Sequence, residues 1–287
     1  MNGILLLNKP DGISSFKAIR TVQKKLNITK IGHCGTLDPM ATGMLPIVTN
    51  EGTKYSQYLL SSDKAYTVTM TLGYISDTFD NEGQIKKTKK VTSSMLSLVP
   101  KVINSFIGTY DQMPPKFSAL KINGNRAYDL ARQGVDFELK PRKITIHKLE
   151  VLHHENTSIT LYVECVKGTY IRSLVNDIGE KLGCGAIMTK LHRNWVSPFN
   201  KQSMYNIDDL SNNHLIPIET IFKQKIYLSI DQTTDILHGK HIPMNEDTQL
   251  NSTQPIALFS GQNKFIGIGT FKTGFLYPKR LLSKPTD

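Results

Sequence analysis

The chain has 287 residues and a mass of 32.2 kDa, with 39% hydrophobic and 21% charged residues, a composition that allows one large domain or a large and a small one. Thirty-five Lys and Arg against 24 Asp and Glu give a net charge of +11, which points to a polyanionic partner, nucleic acid or an acidic membrane surface. Collagen-like, disordered and disulfide-scaffold classes are excluded by these figures, and no apolar stretch nears the roughly 20 residues of a membrane span.

The first apolar run, residues 4–7, is too short for a secretory leader and has no basic flank before it. Ser14 and Ser15 predict an N-cap, followed by a helix with Phe16, Ile19, Val22 and Leu26 on one side and Lys17, Arg20, Lys24 and Lys25 on the other. Residues 32–46 read GHCGTLDPMATGMLP; three glycines and two prolines in that stretch predict a loop of defined backbone geometry. Pro39 keeps Asp38 out of the helical region. A lone carboxylate beside a basic helix is a candidate nucleophile, although Asp-Pro is equally a common turn starter.

Residues 65–72 alternate and predict a half-buried strand, with Tyr66, Val68, Met70 and Leu72 on its core face. An acidic loop-like stretch follows at 76–83, and then five lysines and no acid over 84–101. Asn123-Gly124 predicts a hairpin turn before a short helix ending at Gly134. Residues 158–166 alternate again. Residues 171–182 predict a helix with Leu174, Val175, Ile178 and Leu182 inward and Gly183 at its C-terminal end. Beyond about residue 226 the pattern changes to short β-like pieces, 255–259 and 265–270. The expected class is α+β, with a mixed, largely antiparallel central sheet and a small β-rich domain. The division is placed at 1–223 and 224–287.

The sequence has no GxxxxGK[ST], no complete dinucleotide fingerprint, no HExxH and no GxSxG. Three scattered cysteines, Cys34, Cys165 and Cys184, form no metal-binding spacing and suit a reducing cytoplasm. Cofactor and metal chemistry are therefore not expected.

The loop at 32–46 resembles the catalytic loop of the TruB-type tRNA pseudouridine synthases, which modify uridine 55 in the T-loop. Collinear motifs extend the resemblance. Leu6-Leu7-Asn8-Lys9-Pro10 resembles the family's opening motif, and Lys64-Ala65-Tyr66 its tyrosine motif, followed by Ser76-Asp77-Thr78-Phe79-Asp80. Pro114-Pro115, Ser118-Ala119-Leu120-Lys121 and Ala131-Arg132-Gln133-Gly134 are similar to its RNA-gripping insertion, about 113–142. Gly168-Thr169-Tyr170-Ile171-Arg172-Ser173-Leu174 is similar to its arginine motif, and Leu191 with Arg193 to the segment that closes it. The tail is similar, more weakly, to a small PUA-like RNA-binding domain.

The resemblance implies a pseudouridine-synthase fold and a nucleophilic Asp38, attacking C1′ or uracil C6 or acting through a glycal. It implies Arg172 as the cation that keeps Asp38 ionised, and Tyr66 as the ring that stacks on the base and takes the C5 proton. Tyr170 and Leu191 are implied around the uracil, His33 against the RNA, and Lys9 as a substrate-binding residue of the opening motif. No cofactor is implied. The partner is tRNA, with no membrane role, and a monomer is expected. The insertion is expected to clasp the T-loop. An RNA-binding module without activity shares the charge, but binding alone requires none of Asp38, Tyr66 and Arg172 in their motifs. The family pattern is departed from at Asn8, Cys34, His192, Asn194 and Trp195, which bears on RNA contacts more than on the reaction. Cys34 lies close to Asp38 in sequence, so a thiol reagent there could inhibit by blocking access without making Cys34 catalytic.

Overall fold

The computed structural model describes residues 2–118, 120–122, 124–244 and 250–283. The apolar start of the chain forms β1 (Gly3–Lys9), buried along nearly its whole length. It pairs antiparallel with β3 (Thr42–Thr49), whose other edge is shared by the short β2 (Ile31–His33). The central sheet is completed by β4 (Lys64–Leu72), β5 (Gly108–Gln112), β6 (Arg142–Glu155), β7 (Ser158–Cys165) and β8 (Ala186–Val196). Its order is β1-β3-β8-β4-β7-β6-β5, and every neighbouring pair is antiparallel except β3 with β8.

Alternation places the strand faces as expected. In β4, Tyr66, Val68, Met70 and Leu72 are buried, while Thr67, Thr69 and Thr71 are half-buried on the opposite face. Three helices cover one face of the sheet: α1 (Ser15–Lys25), α2 (Ser93–Asn104) and α4 (Ile171–Leu182), with Val22, Val102, Leu174 and Ile178 in the shared core. Ser14 caps α1 by accepting from the Lys17 amide, and Gly183 ends α4 in the left-handed conformation at φ 76°.

One expectation for α1 fails. Phe16 is 62% exposed, with Arg20 5.1 Å over its ring. The buried stripe is Ser15, Ala18, Ile19 and Val22, the i, i+3, i+4, i+7 set, and Phe16 lies off it. The inward positions take small residues because α1 sits close against the loop that carries Asp38.

In the insertion, Lys121–Ile122 pairs with Asn125–Arg126, and α3 (Ala127–Arg132) follows. Of the expected hairpin turn, Gly124 has φ 87° and Asn123 lies outside the described residues, as does Ala119 of the neighbouring motif.

A second sheet is built from β9 (Gln224–Tyr227), β10 (Ile242–Pro243), β11 (Ile256–Phe259), β12 (Phe265–Lys272) and β13 (Phe275–Leu281), in the order β9-β11-β12-β13-β10. One side of it is joined to the uncovered face of β1 and β3 through Ile4, Leu6, Met44 and Val48 packed with Phe222, Phe259, Phe265 and Ile268. Its other side is closed by Leu228 and by Ile236 of α5 (Ile230–Leu237). Among the described residues no helix is long and apolar enough to cross a membrane.

Candidate active site

Asp38 lies on the loop between β2 and β3, and the backbone on both sides of it is fixed. The Ser15 hydroxyl donates to the Leu37 carbonyl at 2.9 Å and accepts from the Leu37 amide at 2.8 Å. The Pro39 carbonyl accepts from Lys9 Nζ and from the Gly12 amide, each at 3.0 Å. The carboxylate therefore projects from a chain held at the residue before and the residue after it. It opens into a cavity of about 440 Å³, large enough for a nucleobase, whose wall includes Asp38, Lys64, Tyr66, Tyr170, Arg172, Leu191 and Arg193.

Arg172 enters from the first turn of α4. Its Nε stands 3.1 Å from Asp38 Oδ2, and Nη2 donates to Asp38 Oδ1 at 3.4 Å. The same guanidinium is held by Asp80 Oδ2 at 3.4 Å and by the carbonyls of Thr78 and Phe117 at 3.1 and 3.0 Å. Asp80, 1% exposed, accepts in turn from the Thr78 hydroxyl and the Glu82 amide. Burial pushes the Asp38 carboxyl above the ordinary carboxylate range, the Arg172 charge pulls it down, and the Asp80 charge pushes it up again. The carboxylate is thus paired with a held cation while burial keeps its carboxyl above the ordinary range, an arrangement suited to a nucleophile.

Tyr66 and Arg193 face each other across β4 and β8 in register. Tyr66 is 7% exposed on the cavity side. Gly43 pairs with Arg193 on the other edge, at φ 96°, and the Arg193 backbone leaves no room there for a Cβ. The backbone of Tyr170 is fixed by Gln112, which accepts from its amide at 2.8 Å and donates to its carbonyl at 3.1 Å. The insertion supplies Phe117, Ser118, Arg126 and Tyr128 to the cavity wall. Lys17, Arg20 and Lys24 of α1 are exposed, as are Lys116, Lys121, Arg126 and Arg132 of the insertion, of which Arg126 borders the cavity.

Five of the seven expected site residues thus share one cavity: Asp38, Tyr66, Tyr170, Arg172 and Leu191. Lys9 and His33 are not in its wall. Lys9 is 0% exposed, and its ammonium donates to the carbonyls of Pro10 at 2.7 Å and Pro39 at 3.0 Å, which makes it a brace for the Asp38 loop. His33, at the end of β2, is half-buried; burial and the Arg193 charge lower its pKa and favour the neutral ring. Cys34, where a thiol reagent is expected to block access, is fully buried, and burial pushes its thiol up to about 12, which disfavours the reactive thiolate.

Sequence reasoning read Ser15 only as part of an N-cap and named Lys64, Asp80 and Arg193 only within motifs, with no site role for any of the four. Asp80 was legible as part of an acidic loop, and Arg193 as a charge two residues from Leu191 in a strand, a spacing that puts both side chains on one face.

Residues 23–171 match the family model of the TruB family pseudouridylate synthase N-terminal domain. Residues 172–230 match the tRNA pseudouridylate synthase B C-terminal domain, and 225–282 the pseudouridine synthase II TruB C-terminal domain. The chain is 39% identical over 296 residues to tRNA pseudouridine synthase B of Idiomarina loihiensis, covering 99% of this chain and 95% of the relative. It is 38% identical over 281 residues to the protein of that name in Clostridium kluyveri, covering 95% and 96%. In fold it is similar to a chain of a solved Cbf5–Nop10–Gar1 complex, with a TM-score of 0.73 and 23% identity, covering 97% of this chain and 84% of that one. A chain of an H/ACA RNP bound to a substrate RNA containing 2′-deoxyuridine gives a TM-score of 0.71 at 22% identity, covering 99% and 85%.

Proposed function

The chain belongs to the TruB family of pseudouridylate synthases, and from that premise we propose that it converts uridine 55 in the T-loop of tRNA to pseudouridine with Asp38 as nucleophile. It is an enzyme, an isomerase that makes pseudouridine in tRNA. The observation that carries the assignment of Asp38 is its carboxylate, held by Arg172 at 3.1 and 3.4 Å in the wall of a cavity of nucleobase size.

The reaction breaks the N1–C1′ bond, forms a C5–C1′ bond, removes the proton from C5 and returns one to N1. A uridine inside a folded loop is stacked, so it is first extruded into the cavity, at a cost of a few kcal/mol. Exposed lysines and arginines on α1 and the insertion provide phosphate contacts that offset this cost and make binding salt-dependent. In the cavity Tyr66 and Leu191 flank the uracil, Tyr170 borders it, and His33 contacts the RNA outside. Asp38 attacks the nucleotide, with Arg172 keeping the carboxylate charged and aimed. The routes through C1′, C6 or a glycal all begin from this carboxylate. Tyr66 takes the C5 proton and passes it to water.

We further propose that residues 1–223 form the catalytic domain and 224–287 a PUA-like RNA-binding domain, and that the protein acts as a cytoplasmic monomer. The insertion at 113–142 clasps the T-loop. Its contribution of Phe117 and Tyr128 to the cavity wall supports that reading. Equal proteolysis of this segment with and without tRNA would count against the clasp.

The test of the function is tritium release from 5-tritiated uridine in an unmodified tRNA transcript, with wild type and Asp38→Asn compared. Release by wild type alone, lost when position 55 is changed to cytidine, is the expected result. Binding of tRNA by both proteins with release by neither would leave an RNA-binding role in its place.

A further inference from the structure

Arg193 carries one of the most deeply buried charges in the molecule, at 1% exposure. Its Nε donates to the Met44 carbonyl at 2.6 Å and its Nη2 to the Gly35 carbonyl at 3.0 Å. Among the described residues no carboxylate lies within ion-pair distance of it. The contrast with Arg172 is sharp, since that guanidinium has both Asp38 and Asp80. A buried cation without a counter-ion is costly, and carbonyl partners orient it without neutralising it.

The cavity shows what the charge faces. Arg193 is the register partner of Tyr66, so the two side chains leave the same face of neighbouring strands, and both residues line the cavity. Lys64, on the same wall, is tied to the carbonyls of Ser62 at 2.6 Å and Leu60 at 3.4 Å. We propose that Arg193 is the positioning residue for Tyr66, the buried cation set beside it in the cavity wall that acts as counter-ion to the phenolate removing the C5 proton.

This rests on the reading of Tyr66 as the base. In the step, the phenolate oxygen takes the proton from C5 while the electron pair of the C–H bond returns to the uracil ring. The resulting phenol loses that proton to water, and N1 gains one from water, so one proton is released and one consumed per turnover. Without a cation the phenolate has no place in this wall: burial pushes the phenol up, and the neighbouring Cys165 and Asp38 push it further, while Arg193 alone among its close partners pulls it down. Lys64 from the same strand, Arg172 across the cavity and Arg126 of the insertion are the other cations in the wall, and Asp38 is its carboxylate.

The experiment places fluorotyrosine at position 66 and follows its ionisation by fluorine NMR in the otherwise wild-type chain, in Arg193→Gln and in Arg193→Lys. Single-turnover tritium release and tRNA affinity are measured on the same proteins. In Arg193→Gln the midpoint should rise by about one pH unit or more, release at neutral pH should fall by about tenfold per unit, and tRNA affinity should hold. Arg193→Lys, which keeps the charge, should lie between the two. An unmoved midpoint, or a loss confined to tRNA affinity as a phosphate contact would give, overturns the proposal. If the glutamine variant does not fold, the lysine variant decides: loss of release with an unmoved midpoint overturns it, and loss that follows a raised midpoint upholds it. Tyr66→Phe keeps the two readings apart, because wild-type release in that variant removes Tyr66 as the base whatever Arg193 does.

Discussion

Asp80 Oδ2 lies 3.4 Å from Arg172 Nη1, on the side of the guanidinium away from Asp38, so the cation that meets the nucleophile is itself held from behind by a second carboxylate. One buried charge thereby joins three parts of the chain: the Asp38 loop, the acidic loop at 76–83 and the first turn of α4. Its hydrogen bonds to the Thr78 and Phe117 carbonyls add the insertion to the same joint.

Replacing Asp80 by Asn keeps the shape and the acceptor for the Glu82 amide but removes the rear charge. Arg172 is then less firmly held against Asp38. Single-turnover tritium release is expected to slow by about 10- to 100-fold, roughly 1.4 to 2.8 kcal/mol of transition-state stabilisation, with tRNA affinity in filter binding unchanged. A defect found only in affinity would make Asp80 an RNA contact instead.

The ionisation of Asp38 sets a pH dependence whose sign follows from its surroundings. Burial raises its carboxyl above the ordinary range and Arg172 opposes the rise, so activity should fall as the pH drops through a value higher than that of a solvated aspartate. Arg172→Met removes the main opposing charge and should move this acid limb toward neutrality. For stability the sign is opposite. A carboxyl raised on folding holds its proton more tightly in the native state, so its contribution is present at low pH and is lost as the pH rises through the folded value. At neutral pH the ionised Asp38 is therefore a cost to the fold. Asp38→Asn should melt no lower than wild type by calorimetry while losing all release.

Lys9 separates bracing of the loop from binding of RNA. Lys9→Met leaves the Pro10 and Pro39 carbonyls without their buried donor, at a cost of about 1–3 kcal/mol, so the melting temperature and the single-turnover rate should both drop. Because the ammonium is sealed from solvent, the slope of tRNA affinity against salt should stay as it is in wild type. Lys17→Ala, on the exposed side of α1, should do the reverse: a shallower salt slope with little change in melting.

The parts of this structure that were legible in the sequence are those governed by local periodicity. The alternation at 65–72 named the inward residues of β4, that at 158–166 marked β7 as a strand, and Ser14 and Gly183 marked the ends of α1 and α4. Phe16 was misread because hydrophobicity alone cannot say which side of a helix a neighbouring loop approaches, and the loop selects the small Ser15 and Ala18. The parallel contact of β8 with β3 spans only two residue pairs and leaves no periodic trace. The charges were the least legible. Whether Lys9, Asp80 or Arg193 is a solvated surface group or a buried tie depends on partners far away in sequence, 30 residues for Pro39 with Lys9 and 149 and 158 for Met44 and Gly35 with Arg193.

Cys34 tests how firmly the wall behind Asp38 is closed. Its side chain packs with Met44 and Val196 at 0% exposure, and burial pushes the thiol up to about 12, so the reactive thiolate is scarce and out of reach. Cys165 and Cys184 are each 1% exposed. An aromatic disulfide reagent in excess should therefore label none of the three thiols in the native protein and leave tritium release intact, and all three should react once the chain is unfolded in denaturant. The informative comparison is the rate of native labelling with and without tRNA. Labelling of Cys34 before unfolding, accompanied by loss of activity and slowed by bound tRNA, would mean that the segment from Gly32 to Pro46 opens as a unit during the cycle, and the fixed backbone at Leu37 and Pro39 would then describe only its closed state.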